Sequence, residues 1–260
     1  MTDIPGSADS LSLALGARFG VVDGQRTGWI DARPALCRHG VLRAAGLVML
    51  IDMAAGYEAE MHAGRDWNFT ADLGVRRSPV PIERVEGIPV VQRAGRTISI
   101  DVPLRDADGR AVGHGVSTFT RVAARPGDPE RPDYPLDSMA ALPVTDLDAA
   151  EALEARPDGD DLVVELRPGM LNPAGVLQGG VASLIAEMAA LRVAEERVDG
   201  PLVVTAFDIR YVSMGRVGPI RAVVELLGRP TDGLAVVKLL DTGADHRVIT
   251  HNLLGFAPPG

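Results

Sequence analysis

The run Asn172-Pro173-Ala174-Gly175-Val176-Leu177-Gln178-Gly179-Gly180 leads straight into an apolar stretch that begins at Val181. Glycines in such a run let a ligand come close to the backbone. If a helix starts near Gly179, its first N–H groups lack intrahelical acceptors and face outward with the positive end of the helix dipole behind them, which suits a carbonyl oxygen or an oxyanion. About two turns further on, Glu187 interrupts an apolar face. A carboxylate there is costly unless it is solvated or used, and burial raises its pKa toward the range of a general base. Asp52 does the same earlier in the chain, between Leu47-Val48-Met49-Leu50-Ile51 and Met53-Ala54-Ala55. The chemistry in view is a polarised carbonyl attacked by a nucleophile that a buried carboxylate activates or supplies.

The two carboxylates are related by an internal repeat. Gly40-Val41-Leu42-Arg43 returns 135 residues later as Gly175-Val176-Leu177-Gln178, and Asp52-Met53-Ala54-Ala55 returns at the same offset as Glu187-Met188-Ala189-Ala190. Thr70-Ala71 and Thr205-Ala206 keep that register, so the chain reads as a duplication. In each half, Leu47 to Met61 or Val181 to Val198, rich in Ala, Leu, Met and Glu and free of proline, predicts one central helix buried on most sides. Period-2 segments follow it: Asn68 to Arg76, Pro89 to Gln92, Thr97 to Leu104 and Val112 to Val122, then Leu202 to Val212, Ile220 to Leu227, Leu234 to Leu240 and Val248 to Phe256. Shorter strands precede the helices at Phe19 to Asp23, Gly28 to Ala32 and Leu162 to Leu166. Asp106-Ala107-Asp108-Gly109 and Asp241 to Asp245 carry hairpin-turn chemistry.

Proline-rich, weakly periodic sequence between Arg125 and Pro143 reads as a linker. The expected organisation is an N-terminal domain at 10–125, a linker at 126–143 and a C-terminal domain at 144–260. The class is α+β, each half a curved antiparallel sheet wrapped around one long helix.

Composition narrows the partners. A formal net charge of −9 argues against nucleic acid or an anionic membrane surface. The single cysteine, Cys37, cannot form an internal disulfide or build a Cys-based zinc site. The first ten residues show neither a basic start nor an apolar core of a secretory signal, and the apolar run Leu47 to Ile51 is far short of the roughly 20 residues of a membrane span, so a cytoplasmic location is expected.

The run Asn-Pro-x-Gly-x-x-[His/Gln]-Gly-Gly, followed by an acid eight positions after the first paired glycine, resembles the PaaI-like acyl-CoA thioesterases of the hotdog superfamily. The second half carries it with Asn172, Pro173, Gly175, Gln178, Gly179, Gly180 and Glu187; His is usual at Gln178 and Asp is commonest at Glu187. The first half keeps Gly40 and Asp52, with Cys37, Arg43 and Ala44 in place of Asn, His and Gly, and its Thr70-Ala71-Asp72-Leu73 is similar to the family's Thr-x-Asp-Leu strand. The resemblance implies a tandem double hotdog that hydrolyses acyl-CoA, with coenzyme A as part of the substrate and neither metal nor cofactor. In that family each site takes loop donors from one unit and its acid from the other. One site would then combine Asp52 as base or nucleophile, the Gly179 N–H as oxyanion donor, Asn172 as orienting residue, and Gln178, Gly180 and Thr70 as substrate-binding residues. The opposite site would combine Cys37, Arg43 and the Ala44 N–H with Glu187 and Thr205. The first is preferred because its motif is complete. Arg76, Arg77, Arg210 and Arg216 are candidates for the coenzyme A phosphates, and association into a homo-oligomer would use sheet edges or faces.

Other readings stand beside this one. Gly179-Gly180 can serve packing alone, Thr70 and Thr205 are ordinary strand types, and Tyr211, Trp29 and Trp67 read as packing residues. Asp241 and His246 have the Asp-x-x-x-x-His spacing of hotdog enoyl-CoA hydratases but fall in a predicted turn. A catalytically silent acyl-CoA-binding or assembly protein is the alternative from a different class.

Overall fold

The computed structural model describes residues 10–64, 66–124, 127, 142–229 and 232–260. Of the expected linker at 126–143, only 127, 142 and 143 are therefore described.

The first half contains α1 (Leu11–Ala14), β1 (Arg18–Val22), β2 (Gln25–Asp31), β3 (Cys37–Arg38), β4 (Val41–Leu42) and α2 (Ala44–Met61). It continues through β5 (Trp67–Arg77), β6 (Arg84–Gly87), β7 (Val90–Arg93), β8 (Thr97–Asp106) and β9 (Ala111–Val122). The second half contains α3 (Ala149–Leu153), β10 (Arg156–Asp158), β11 (Asp161–Val164) and α4 (Gly179–Glu195). After it come β12 (Val203–Tyr211), β13 (Ile220–Leu227), β14 (Leu234–Asp241) and β15 (Arg247–Ala257).

Ala44 to Ile51 is apolar at every position and buried throughout, so the start of α2 has no face turned to water. α4 is likewise buried at every position from Gly180 to Glu187, with Ser183 and Glu187 as its polar interruptions. Such helices need cover on several sides, and an antiparallel sheet supplies it. The hydrogen-bonded order is β1-β2-β6-β8-β9-β5-β12-β15-β14-β13-β11-β10, with β7 beside β8. The halves join where β5 and β12 pair antiparallel from Arg76↔Ala206 to Asp72↔Arg210, which makes one continuous sheet with the repeat visible on either side of the joint. The helices also touch each other: a Cβ on Gly180 would collide with Met49, so this glycine permits the helix crossing.

The central helices α2 and α4 and the period-2 strands fall where the sequence indicates, and the order matches the expected meander; the short helices α1 and α3 are additional to it. β6 and β10 were not expected; Arg84–Gly87 and Arg156–Asp158 are short and charged. β6 and β7 together occupy the place that unbroken β13 fills in the second half, and Pro89, which cannot donate to the ladder, lies in the gap between them. In the first hairpin, the Asp106 carboxylate accepts from the N–H groups of Asp108 and Arg110 at 3.0 and 2.9 Å.

A bulge in β5 sets the site. The pairing with β9 shifts register between Thr70 and Asp72. Beyond it Leu73 and Val75 are buried against the helices and Asp72 lies outside; strict alternation would put Thr70 outside with Asp72. The extra residue turns Thr70 inward, toward α2. No helix among the described residues is long and apolar enough to cross a membrane.

Candidate active site

A cavity of about 400 Å³ opens where α2, the start of α4, β5 and β12 meet. Of the residues singled out in the sequence, Asp52, Thr70, Asn172, Gln178, Gly179 and Gly180 all line it, and Glu187 does not.

Asp52 is held from the side by Thr70, whose hydroxyl donates to Oδ1 at 2.7 Å. The carboxyl touches the cavity yet is enclosed by protein, and this loss of solvation lifts it from the usual 3.8 to about 6, with the Thr70 hydrogen bond pulling the other way. Substituting Thr70 by Val removes that pull. The acid limb of any activity that needs the Asp52 carboxylate is therefore expected to move to higher pH in Thr70→Val, a shift read from kcat/KM against pH.

Gly179 opens α4 directly beside this carboxylate. A Cβ there would lie 2.6 Å from Asp52 Oδ2 and would also collide with the Tyr211 hydroxyl, so glycine is required by close approach and not by its backbone angles. Among the described residues, no protein group accepts from the Gly179 or Gly180 N–H. Gly179-Gly180 thus has two distinct duties: Gly180 makes room for Met49, and Gly179 makes room for the two polar groups that face the helix start.

Asn172 and Gln178 build the loop. Asn172 Oδ1 accepts from the N–H groups of Ala174 and Val176 at 3.0 and 3.1 Å, which fixes the turn and leaves only the amide NH₂ for a substrate. Gln178 Nε2 donates to the carbonyls of Leu171 and Gly169 at 3.0 and 3.3 Å, while Oε1 accepts from Ser12 and Ser10 at 2.8 and 3.3 Å. Its amide thus ties the loop to the N-terminal segment.

The pseudo-equivalent place in the other half is built differently. Glu187 is 1% exposed, and its carboxylate accepts from the N–H groups of Ala44 and Ala45, the first residues of α2, at 3.2 and 2.6 Å. It occupies the position that an oxyanion would take. Burial raises its carboxyl above the usual range, against the opposing pull of Arg43, the Ala45 N–H, Arg77 and the Ala44 N–H. Arg43 and Arg77 are both buried, and Arg43 Nε and Nη1 have no hydrogen-bond partner. Burial likewise raises the Cys37 thiol, with Arg43 and Arg77 opposing. Thr205 donates to the Gly255 carbonyl at 3.4 Å instead of to an acid. One methylene longer than Asp52, Glu187 reaches the facing helix and closes its N-terminus, away from the cavity.

Asp241, the hydratase candidate, is fully buried and accepts from the N–H groups of Arg216, Val217 and Gly218 at 2.8 to 3.0 Å. These bonds hold the loop that carries Ser213, Met214 and Gly215 against the cavity. Of the candidate phosphate ligands, Arg76 pairs with Asp208 and Arg210 with Asp72 across the β5–β12 joint. Arg77 donates to backbone carbonyls of Leu42, Ser78 and Val80. Arg216 alone of the four stands beside the cavity loop, exposed, with Nη1 donating to the Ala174 carbonyl at 3.1 Å.

Two cavity residues escaped the sequence reading. Tyr211 reads as packing, because Phe207, Ile209 and Tyr211 alternate onto the core face, yet its hydroxyl is buried beside Asp52 and Gly179 without a hydrogen-bond partner among the described residues. Asn68, on the same face of β5 as Thr70, also lines the cavity with both amide atoms buried and unpaired. The available signal for both was a polar tip at an inward position.

The sequence matches no protein-family model and no curated protein. Solved structures do resemble it. The tesB protein of Mycobacterium avium subs paratuberculosis superposes with a TM-score of 0.66 at 13% identity, covering 98% of this chain and 100% of that one. The acyl-CoA thioesterase II TesB2 of Mycobacterium marinum gives 0.59 at 10% identity, over 95% of this chain and 97% of its own. An acyl-ACP thioesterase of Bacteroides thetaiotaomicron gives 0.62 at 11%, over 89% and 97%. At these identities the likeness establishes the fold: the chain is a double hotdog.

Proposed function

We propose that this double hotdog hydrolyses acyl thioesters, with acyl-CoA the substrate class, at one working site between its halves. The observation that carries the reading is the contrast between two equivalent helix starts. At α2 the first N–H groups are taken by Glu187; at α4 they face a cavity, with a carboxylate of raised pKa on its wall. The PaaI-like motif of the second half and the thioesterase names of the structural neighbours support the same reaction.

The thioester carbonyl oxygen would sit on the N–H groups that open α4, which polarise the carbonyl and hold the charge that develops on it. Asp52, ionised above about pH 6, takes a proton from water as the water oxygen attacks the carbonyl carbon, or attacks directly to give an anhydride that water then opens. The intermediate collapses, the C–S bond breaks, and the thiolate leaves without a strong general acid. Hydrolysis in ¹⁸O-water under single turnover separates the routes, since only the anhydride route can leave label in the Asp52 carboxylate.

The experiment that tests the reading is thiol release from acyl-CoA. Stabilisation by acyl-CoA without thiol release would instead support a silent binding protein. Arg216 supplies a test of the thiol carrier: Arg216→Ala is expected to raise KM for an acyl-CoA by roughly fivefold to tenfold, the worth of one exposed charge-assisted contact. KM for the matching N-acetylcysteamine thioester, which has no phosphates, is expected to stay unchanged.

A further inference from the structure

The hydrolytic reading uses the Asp52 carboxylate and the start of α4, and leaves unused the third polar group that meets them. Tyr211 ends β12, the strand that pairs with β5 across the joint. Its hydroxyl oxygen is buried and has no hydrogen-bond partner among the described residues, although it lines the cavity. It also stands against the face of Gly179 on which a Cβ would project, the face that Asp52 Oδ2 approaches as well. Side-chain bonds on a helix lean toward its N-terminus, so this face lies on the same side of Gly179 as the unpaired N–H groups. A buried hydroxyl without a partner destabilises the free protein. An oxygen atom placed between this hydroxyl and the helix start would satisfy both.

We propose that Tyr211 is a catalytic residue of the thioesterase site, donating its O–H to the thioester carbonyl oxygen as a second oxyanion donor beside the α4 N–H groups. The proposal rests on the hydrolytic reading of the cavity. As the nucleophile adds to the carbonyl carbon, the π pair moves to oxygen, and the phenol stabilises that charge through a hydrogen bond without giving up its proton. When the C=O bond re-forms, the C–S pair leaves with the thiolate, and the phenol is unchanged. Burial, with Asp52 nearby, holds the phenol well above its ordinary pKa, so it remains a donor throughout the working pH range.

Tyr211→Phe removes only the hydroxyl. The expected result is a kcat about 100-fold lower, the usual effect of losing one oxyanion donor, with KM little changed. Tm is expected to hold or rise, because the lost group had no partner, and the acid limb set by Asp52 is expected to stay in place. Unchanged kcat would overturn the proposal. So would a lower kcat accompanied by a lower Tm and a displaced acid limb, since that pattern means the phenol serves the fold or bonds to Asp52.

A second measurement does not depend on turnover. In a non-hydrolysable acyl-CoA ketone, where CH₂ replaces the thioester sulfur, the ¹³C-labelled carbonyl stretch of the bound ligand is expected at lower frequency in the parent protein. In Tyr211→Phe it is expected to move back toward its solution value. An identical stretch in both proteins overturns the donor role, whether or not thioesters are hydrolysed. Absence of thiol release with the stretch shift intact removes the hydrolytic reading alone.

Discussion

Asp52→Asn is expected to lower thioester turnover by about 1,000-fold and, at the same time, to make the protein more stable at pH 8. The sign follows from the two pKa values. In the unfolded chain the group ionises near 3.8, in the fold only near 6, so above pH 6 the folded state carries a charge that burial disfavours. The unfavourable contribution is about 3 kcal/mol when fully developed and vanishes below about pH 3, where both states are protonated. Asn has no charge to bury and keeps an oxygen to accept from Thr70. Denaturant unfolding of parent and variant should therefore give equal stabilities at about pH 3 and a gap that opens between about pH 3 and 6 and then levels off. A gap of opposite sign would mean that the surroundings stabilise the Asp52 charge.

Glu187→Ala is expected to do the reverse, with a large loss of stability and no loss of chemistry. The carboxylate caps the first N–H groups of α2 and faces two buried arginines, Arg43 and Arg77. Removing it leaves both guanidinium groups without the acid that faces them and two backbone donors unpaired at a buried helix start. A loss of about 3–5 kcal/mol is expected, which for a chain of this size lowers Tm by roughly 10 °C. Turnover per folded molecule should be unaffected, because Glu187 does not reach the cavity. Reduced kcat in the folded fraction would return Glu187 to the catalytic set.

These opposite outcomes were only partly legible in the sequence. The repeat, the two carboxylates and the paired glycines are visible as interruptions of apolar pattern; they suffice for the fold, and Asp52, Gly179 and Gly180 among them line the cavity. What pattern does not encode is reach. Asp52 stops at Thr70 and faces open space, whereas Glu187, with one more methylene, arrives at Ala44 and Ala45 and seals the equivalent place. The motif residues Asn172 and Gln178 look catalytic by type, yet their bonds run to the loop backbone and to Ser10 and Ser12. Tyr211 shows the converse: alternation assigns it to the core face, and only the pairing of β12 with β5 brings its hydroxyl to Asp52. The bulge that turns Thr70 inward is likewise set by pairing, since neither Thr70 nor Ala71 is a residue type that announces an irregular strand.

Thiol release from short, long and aryl acyl-CoAs, compared for the parent protein, Asp52→Asn and Glu187→Gln, tests the single-site account most directly. The expected result is release by the parent and by Glu187→Gln, and its loss in Asp52→Asn. Release that survives in Asp52→Asn or disappears only in Glu187→Gln would contradict the assignment of the working site, and no release from any acyl-CoA by the parent would contradict the reaction itself.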